Sequence, residues 1–154
     1  MDVVKLAREA LEDELLSARI YSMAASLSKL GSTKKRLLKI SEMEKDHAEF
    51  WKRFLAKRGV EVSGIKAASA KSILYAAFLR IFGLALAFRL MEAGERDAAE
   101  LYSRLLESPE LSAEEKAGLR RILEDELVHE QELAEEESRF MKMLDHIRDA
   151  VLGM

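Results

Sequence analysis

The chain has no cysteine, a single proline (Pro109) and only seven glycines in 154 residues. The missing thiols exclude a disulfide framework and every soft thiolate metal site. Scarce proline and glycine leave few places at which a helix must break. Asparagine is also absent, and Gln131 is the only glutamine. With 34% charged residues, that depletion of thermolabile side chains points to a thermophilic source. The net charge is only −3, with basic residues interspersed among acidic ones, which argues against a nucleic-acid surface. No stretch reads as a signal peptide, so a reducing cytoplasm is the expected setting. The length suits one domain with a real core.

What is present reads as helix nearly throughout. Helices are expected over about 4–29, 33–58, 66–82, 84–107 and 113–152, in one all-α domain. Leu30-Gly31 ends the first helix, and Ser32 is a candidate N-cap for the second, which stops at Gly59. Ser108-Pro109 closes the fourth, because proline disfavours helix at the residue before it. Ser112 with Glu115 is a capping box opening the last. That helix would run about 60 Å at 1.5 Å per residue, so its second half projects beyond a bundle.

One pattern occurs twice. Glu44 and His47 form an E-x-x-H, and so do Glu126 and His129 in the second half; Glu14 stands seven residues before Tyr21, and Glu95 seven before Tyr102. Residues three or seven apart share a helix face, so four helices can aim four carboxylates and two imidazoles at one point. A dinuclear iron or manganese centre in a four-helix bundle needs that set. Zinc accepts the same donors, and four carboxylates balance two divalent ions, which makes burial tolerable. His146, with Met143 three residues before it, has no such glutamate and reads as surface.

Residues 65–82 do not fit a minimal bundle. From Ile73 to Met91 the only charges are Arg80 and Arg89, approaching the length of a membrane span. If Glu95 faces the site, however, residues 84–91 belong inside the bundle and too little remains to cross a bilayer. The surplus helix then packs on the bundle or a second subunit, or lies on a membrane surface. Ile73, Leu74, Phe78, Ile81 and Phe82 are dense enough to predict a homodimer through residues 65–88. A swapped form would take Glu14, Glu44 and His47 from one subunit and Glu95, Glu126 and His129 from its partner.

The segments ELLSARIY, EKDH, GERDAAELY and ELVHE resemble the rubrerythrin branch of the ferritin-like superfamily, over nearly the whole chain to about Glu135. More narrowly, the chain is similar to the domain preceding a vacuolar-iron-transporter-like membrane domain in membrane-bound ferritins. The resemblance implies a ferritin-like four-helix bundle with a long crossover helix and an extended C-terminal helix. It also implies two iron ions held by Glu14, Glu44, His47, Glu95, Glu126 and His129, with Glu44 and Glu126 bridging. Tyr21 and Tyr102 would donate hydrogen bonds to ligand carboxylates, with Asp46 and Asp125 as further supporting candidates. The ending HIRDAVLGM looks like the run into the membrane part, which would tether this domain on the cytoplasmic side.

Two departures bear on activity. No paired C-x-x-C motif supplies the electron donor of peroxide-reducing rubrerythrins. Ala98 stands where those proteins carry a second glutamate; Glu92, on the same face as Glu95, is either a seventh ligand or a surface carboxylate. The expected function is a ferroxidase that oxidises Fe(II) with O₂ or peroxide for iron storage, transport or detoxification. Its rivals are a non-catalytic iron-loading or sensing module of a membrane iron transporter, and a peroxide reductase fed by a separate donor.

Overall fold

The computed structural model describes residues 1–67 and 69–153, with the backbone alone for Ser69. It contains helices α1 (Val3–Leu27), α2 (Gly31–Ala56), α3 (Ser69–Leu105) and α4 (Ala113–Leu152), with no strand among the described residues. The short link 28–30 folds α2 back along α1, and the turn at 106–112 folds α4 back along α3. The two hairpins meet chiefly through α1 and α3. This is a ferritin-like four-helix bundle.

Local chemistry sets the helix ends. The Asp2 side chain accepts from the Lys5 amide at 3.0 Å, capping α1. At α4 the capping box is formed, with Ser112 and Glu115 bonding each other's backbone amides at 3.1 and 3.0 Å. Arg58 binds the same Glu115 at 2.7 Å and ties the end of α2 to the start of α4. Gly59, at φ 75°, ends α2 in a Schellman motif: Val60 N bonds Leu55 O, and Gly59 N bonds Ala56 O. The Ser32 cap expected from the sequence is not used. Lys34 N reaches Leu30 O at 2.9 Å, so the helix already includes Gly31, and the Ser32 hydroxyl accepts from Arg139 instead.

The expected pair of helices over 66–82 and 84–107 forms one element, α3, interrupted at Gly83. Its φ of 76° and ψ of −175° lie in a region open essentially to glycine alone. The break lets residues 69–82 fold over α1, where Arg19 donates to Ser72 at 3.3 Å and Leu79 packs among Ile20, Ala24 and Phe88. The arm's other face stays open: Ile73, Leu74 and Ile81 are about 70% exposed and Phe82 is 55% exposed. By length and composition, residues 70–105 would pass for a membrane span. The Gly83 break, however, leaves a first arm shorter than the roughly 20 residues a span needs.

Along every helix the core divides in two. One cluster gathers Leu11, Trp51, Phe54, Leu105 and Leu119. The other gathers Ile20, Leu37, Ile40, Phe88 and Leu133. Glu14, Glu44, His47, Glu95, Glu126 and His129 fall between the clusters on each helix, forming a polar layer within apolar walls. From Met141 to Leu152, every residue of α4 is exposed.

Candidate metal centre

Helix periodicity brings one Glu from α1, a Glu-x-x-His from α2, one Glu from α3 and a Glu-x-x-His from α4 into this layer. All six side chains are buried, at 1–4% exposure. Their donor atoms fall into two groups, each lying within 4.8 Å of one another: Glu14, Glu44, His47 and Glu126, and Glu44, Glu95, Glu126 and His129. Glu44 and Glu126 belong to both, the position a bridging carboxylate takes.

The halves of the chain are wired crosswise. Tyr21 donates to Glu95, and Tyr102 to Glu14 at 2.5 Å, so each tyrosine orients the carboxylate of the other hairpin. The imidazoles cross as well, His47 Nδ1 lying 2.9 Å from Glu126 and His129 Nδ1 2.9 Å from Glu44. These contacts are close, yet their directions do not make hydrogen bonds. Glu14 Oε2, Glu44 Oε1, both Glu126 oxygens and both Nδ1 atoms are buried without a hydrogen-bond partner. Buried polar atoms are normally paired. Six unpartnered donor atoms on five of the six residues, gathered about shared centres, are what a metal pair would satisfy, so the residues fit such a pair.

The symmetry fails at one place. His47 Nε2 is 2.8 Å from Asp125 Oδ2, the outer carboxylate that metal-ligating histidines commonly use to fix ring and tautomer. At the matching place His129 Nε2 meets Met43 Sδ at 3.4 Å. Nothing in the duplicated motif signals Met43, because a methionine one residue before the glutamate reads as core.

Without metal, the layer must keep like charges apart. Burial pushes Glu44 well above the usual carboxylate range, and the charges of Glu14 and Glu95 push it further. Burial also raises Glu95, against the pull of His129. Glu14 goes the other way: burial opposes its charge, but the nearby Glu44 and His47 and the hydrogen bond from Tyr102 outweigh that and lower it. For His47 burial favours the neutral ring, yet Glu14 and Asp125 overcome it and raise its pKa to about 9. The metal-free layer therefore holds protons at Glu44 and His47, where ions would replace them.

Two sequence candidates fall outside. Glu92 belongs to neither ligand group; it accepts from Arg96 at 3.3 Å, beside Glu130 and Glu137 of α4. Asp46 is exposed: one residue before His47 it is turned about 100° around the helix, away from the layer. His146 is exposed on the projecting part of α4. Glu136, which no sequence motif marks, is buried two turns beyond His129 and held by Thr33 at 2.7 Å and Arg36 at 3.1 Å. Its burial depends on a partner helix, which no local pattern encodes.

A four-helix bundle enclosing paired carboxylates and histidines defines a class of dinuclear metal proteins. The rubrerythrin family model matches residues 5–137, and the chain belongs to that family. Comparison with curated proteins and with solved structures gave no match.

Proposed function

We propose that the protein is a di-iron ferroxidase that binds Fe(II) and oxidises it with O₂ or peroxide, in the service of iron storage, transport or detoxification. The observation that carries the reading is the set of six converging, buried ligands, five of which hold donor atoms without a hydrogen-bond partner. Glu14, Glu44, Glu126 and His47 would hold one ion, and Glu44, Glu95, Glu126 and His129 the other, with manganese or zinc as competing occupants. When bound, the iron pair would supply two electrons, one from each ion, to a single oxidant.

The protein's own groups prepare that site. Tyr21 and Tyr102 fix one oxygen each of Glu95 and Glu14, which leaves Glu14 Oε2 free to ligate. Asp125 accepts a hydrogen bond from His47 Nε2 and keeps Nδ1 turned inward. Glu44 and His47 give up their protons as ions arrive, because ligands must be deprotonated. The apolar clusters on either side exclude bulk water.

Anaerobic Fe(II) loading followed by metal analysis and mixing with O₂ or H₂O₂ tests the reading. Two ions per chain and rapid oxidation are expected; one ion or fewer overturns the pair. Iron bound without either oxidation leaves the loading or sensing module of a membrane transporter. Re-reduction by an added electron-donor protein identifies a peroxide reductase.

The open apolar face of residues 73–82 supports self-association, which in this reading joins two copies beside a membrane iron-transport domain on the cytoplasmic side. All six ligands reach the site within one chain, so a swapped dimer would rebuild the same set from two copies across the Gly83 break.

A further inference from the structure

The six ligands are almost fully buried, so a hydrated ion needs a way in. A cleft of about 520 Å³ between α1 and α3 has Glu14, Glu44, Glu95 and Glu126 at its floor. Three of these carry the oxygens without hydrogen-bond partners, so the cleft ends on atoms waiting for a cation. It stays open because Ser17, Gly94 and Ala98 line it where larger side chains would close it. Its charged wall is mixed: Glu9, Asp13 and Asp97 stand against Lys71 and Arg104. Lys71 and Tyr75 come from the arm before Gly83, so the surplus helix forms part of the cleft's lip.

We propose that this cleft is the inlet for divalent cations, with Asp13 and Asp97 drawing the ion inward and Lys71 opposing it. The proposal rests on the di-metal reading above and adds the path and the residues that set the rate of loading. A charged wall focuses the local field and changes association rates steeply, and salt screens the effect. The arm thereby gains a role at the site that the bundle alone would not need.

Co(II), which loads without being oxidised, is the probe. Stopped-flow mixing with metal-free protein follows its absorption and the fluorescence of Trp51, the only tryptophan, whose ring lies 5.4 Å from that of Tyr102. Equilibrium titration runs in parallel. Asp13→Asn and Asp97→Asn should each slow capture about threefold to tenfold, and Lys71→Glu should speed it by a similar factor, all converging at high salt. Gly94→Phe should slow capture at any salt concentration while the final stoichiometry stays unchanged. A Cβ at this position meets nothing within 4 Å, so a side chain can start there without a clash, and circular dichroism checks that the variant keeps its helical fold.

Wild-type rates in all four variants would overturn the inlet while leaving the metal site standing. Altered affinity at unchanged capture rate would also overturn it, because the residues would then act on the ligands rather than the path. No Co(II) bound by the wild type would overturn the di-metal reading itself.

Discussion

The middle of the bundle and the first arm of α3 each invert the usual distribution of side chains. Inside, Glu14, Glu44, Glu95 and Glu126 are 1–4% exposed; outside, Ile73, Leu74 and Ile81 are about 70% exposed. Charged residues are almost never buried without a partner, and large contiguous apolar faces are seldom left open. The two inversions differ in what resolves them. The buried carboxylates already converge from one chain and lack only cations, whereas the arm's open face calls for another surface. The first is a converged set of ligands, and the second is an apolar face left open to solvent.

The largest expected effect sharpens the first half of that contrast. Adding Fe(II) or Mn(II) anaerobically should raise Tm, since an ion at a thousand times its Kd contributes about 4 kcal/mol. That corresponds to roughly 10 °C for a chain of this size. Equal melts with and without metal would mean the layer is merely a tolerated polar core.

The arm can be broken on either of its faces. Leu79→Ala, on the buried side at 3% exposure, should cost about 2–4 kcal/mol in denaturant unfolding. Ile81→Glu, at 72% exposure, should change monomer stability by no more than about 0.5 kcal/mol. Light scattering should nonetheless show it weakening self-association. If both leave association unchanged, the arm is not the contact between copies.

Gly83→Ala puts a side chain at a φ, ψ pair reserved for glycine and should cost roughly 1–3 kcal/mol. If α3 straightens to relieve the strain, size-exclusion chromatography will show a larger swapped species. Tyr102→Phe should cost about 1 kcal/mol in the metal-free protein. It should also loosen metal binding about 10- to 100-fold in competition with a chelator, while Asp46→Asn leaves binding unchanged.

The gentlest probe is pH. His47 carries a folded-state pKa of about 9 against an ordinary 6.5. Its contribution is fully present below pH 6.5 and is lost as pH rises through 9. The Tm of metal-free protein should therefore fall over that window, apart from other titrations. In loaded protein the trend should reverse, because alkaline pH removes protons that compete with the ions.

Much of this was already determined by the sequence. The period of the helix is local, so an E-x-x-H or a Glu seven residues before a Tyr fixes which side chains share a face before any packing occurs. The same holds for the Ser112 capping box and the Gly59 stop, each governed by a few adjacent residues. Tertiary structure decided whatever depends on a second helix. It crossed Tyr21 to Glu95 and Tyr102 to Glu14, gave His47 an aspartate and His129 a methionine, and turned Asp46 out to solvent. It also buried Glu136 against Thr33 and Arg36. The reason is geometric: sequence spacing sets direction around one helix axis, but partners across the bundle depend on the rotation and depth at which helices pack, and those follow from the whole core.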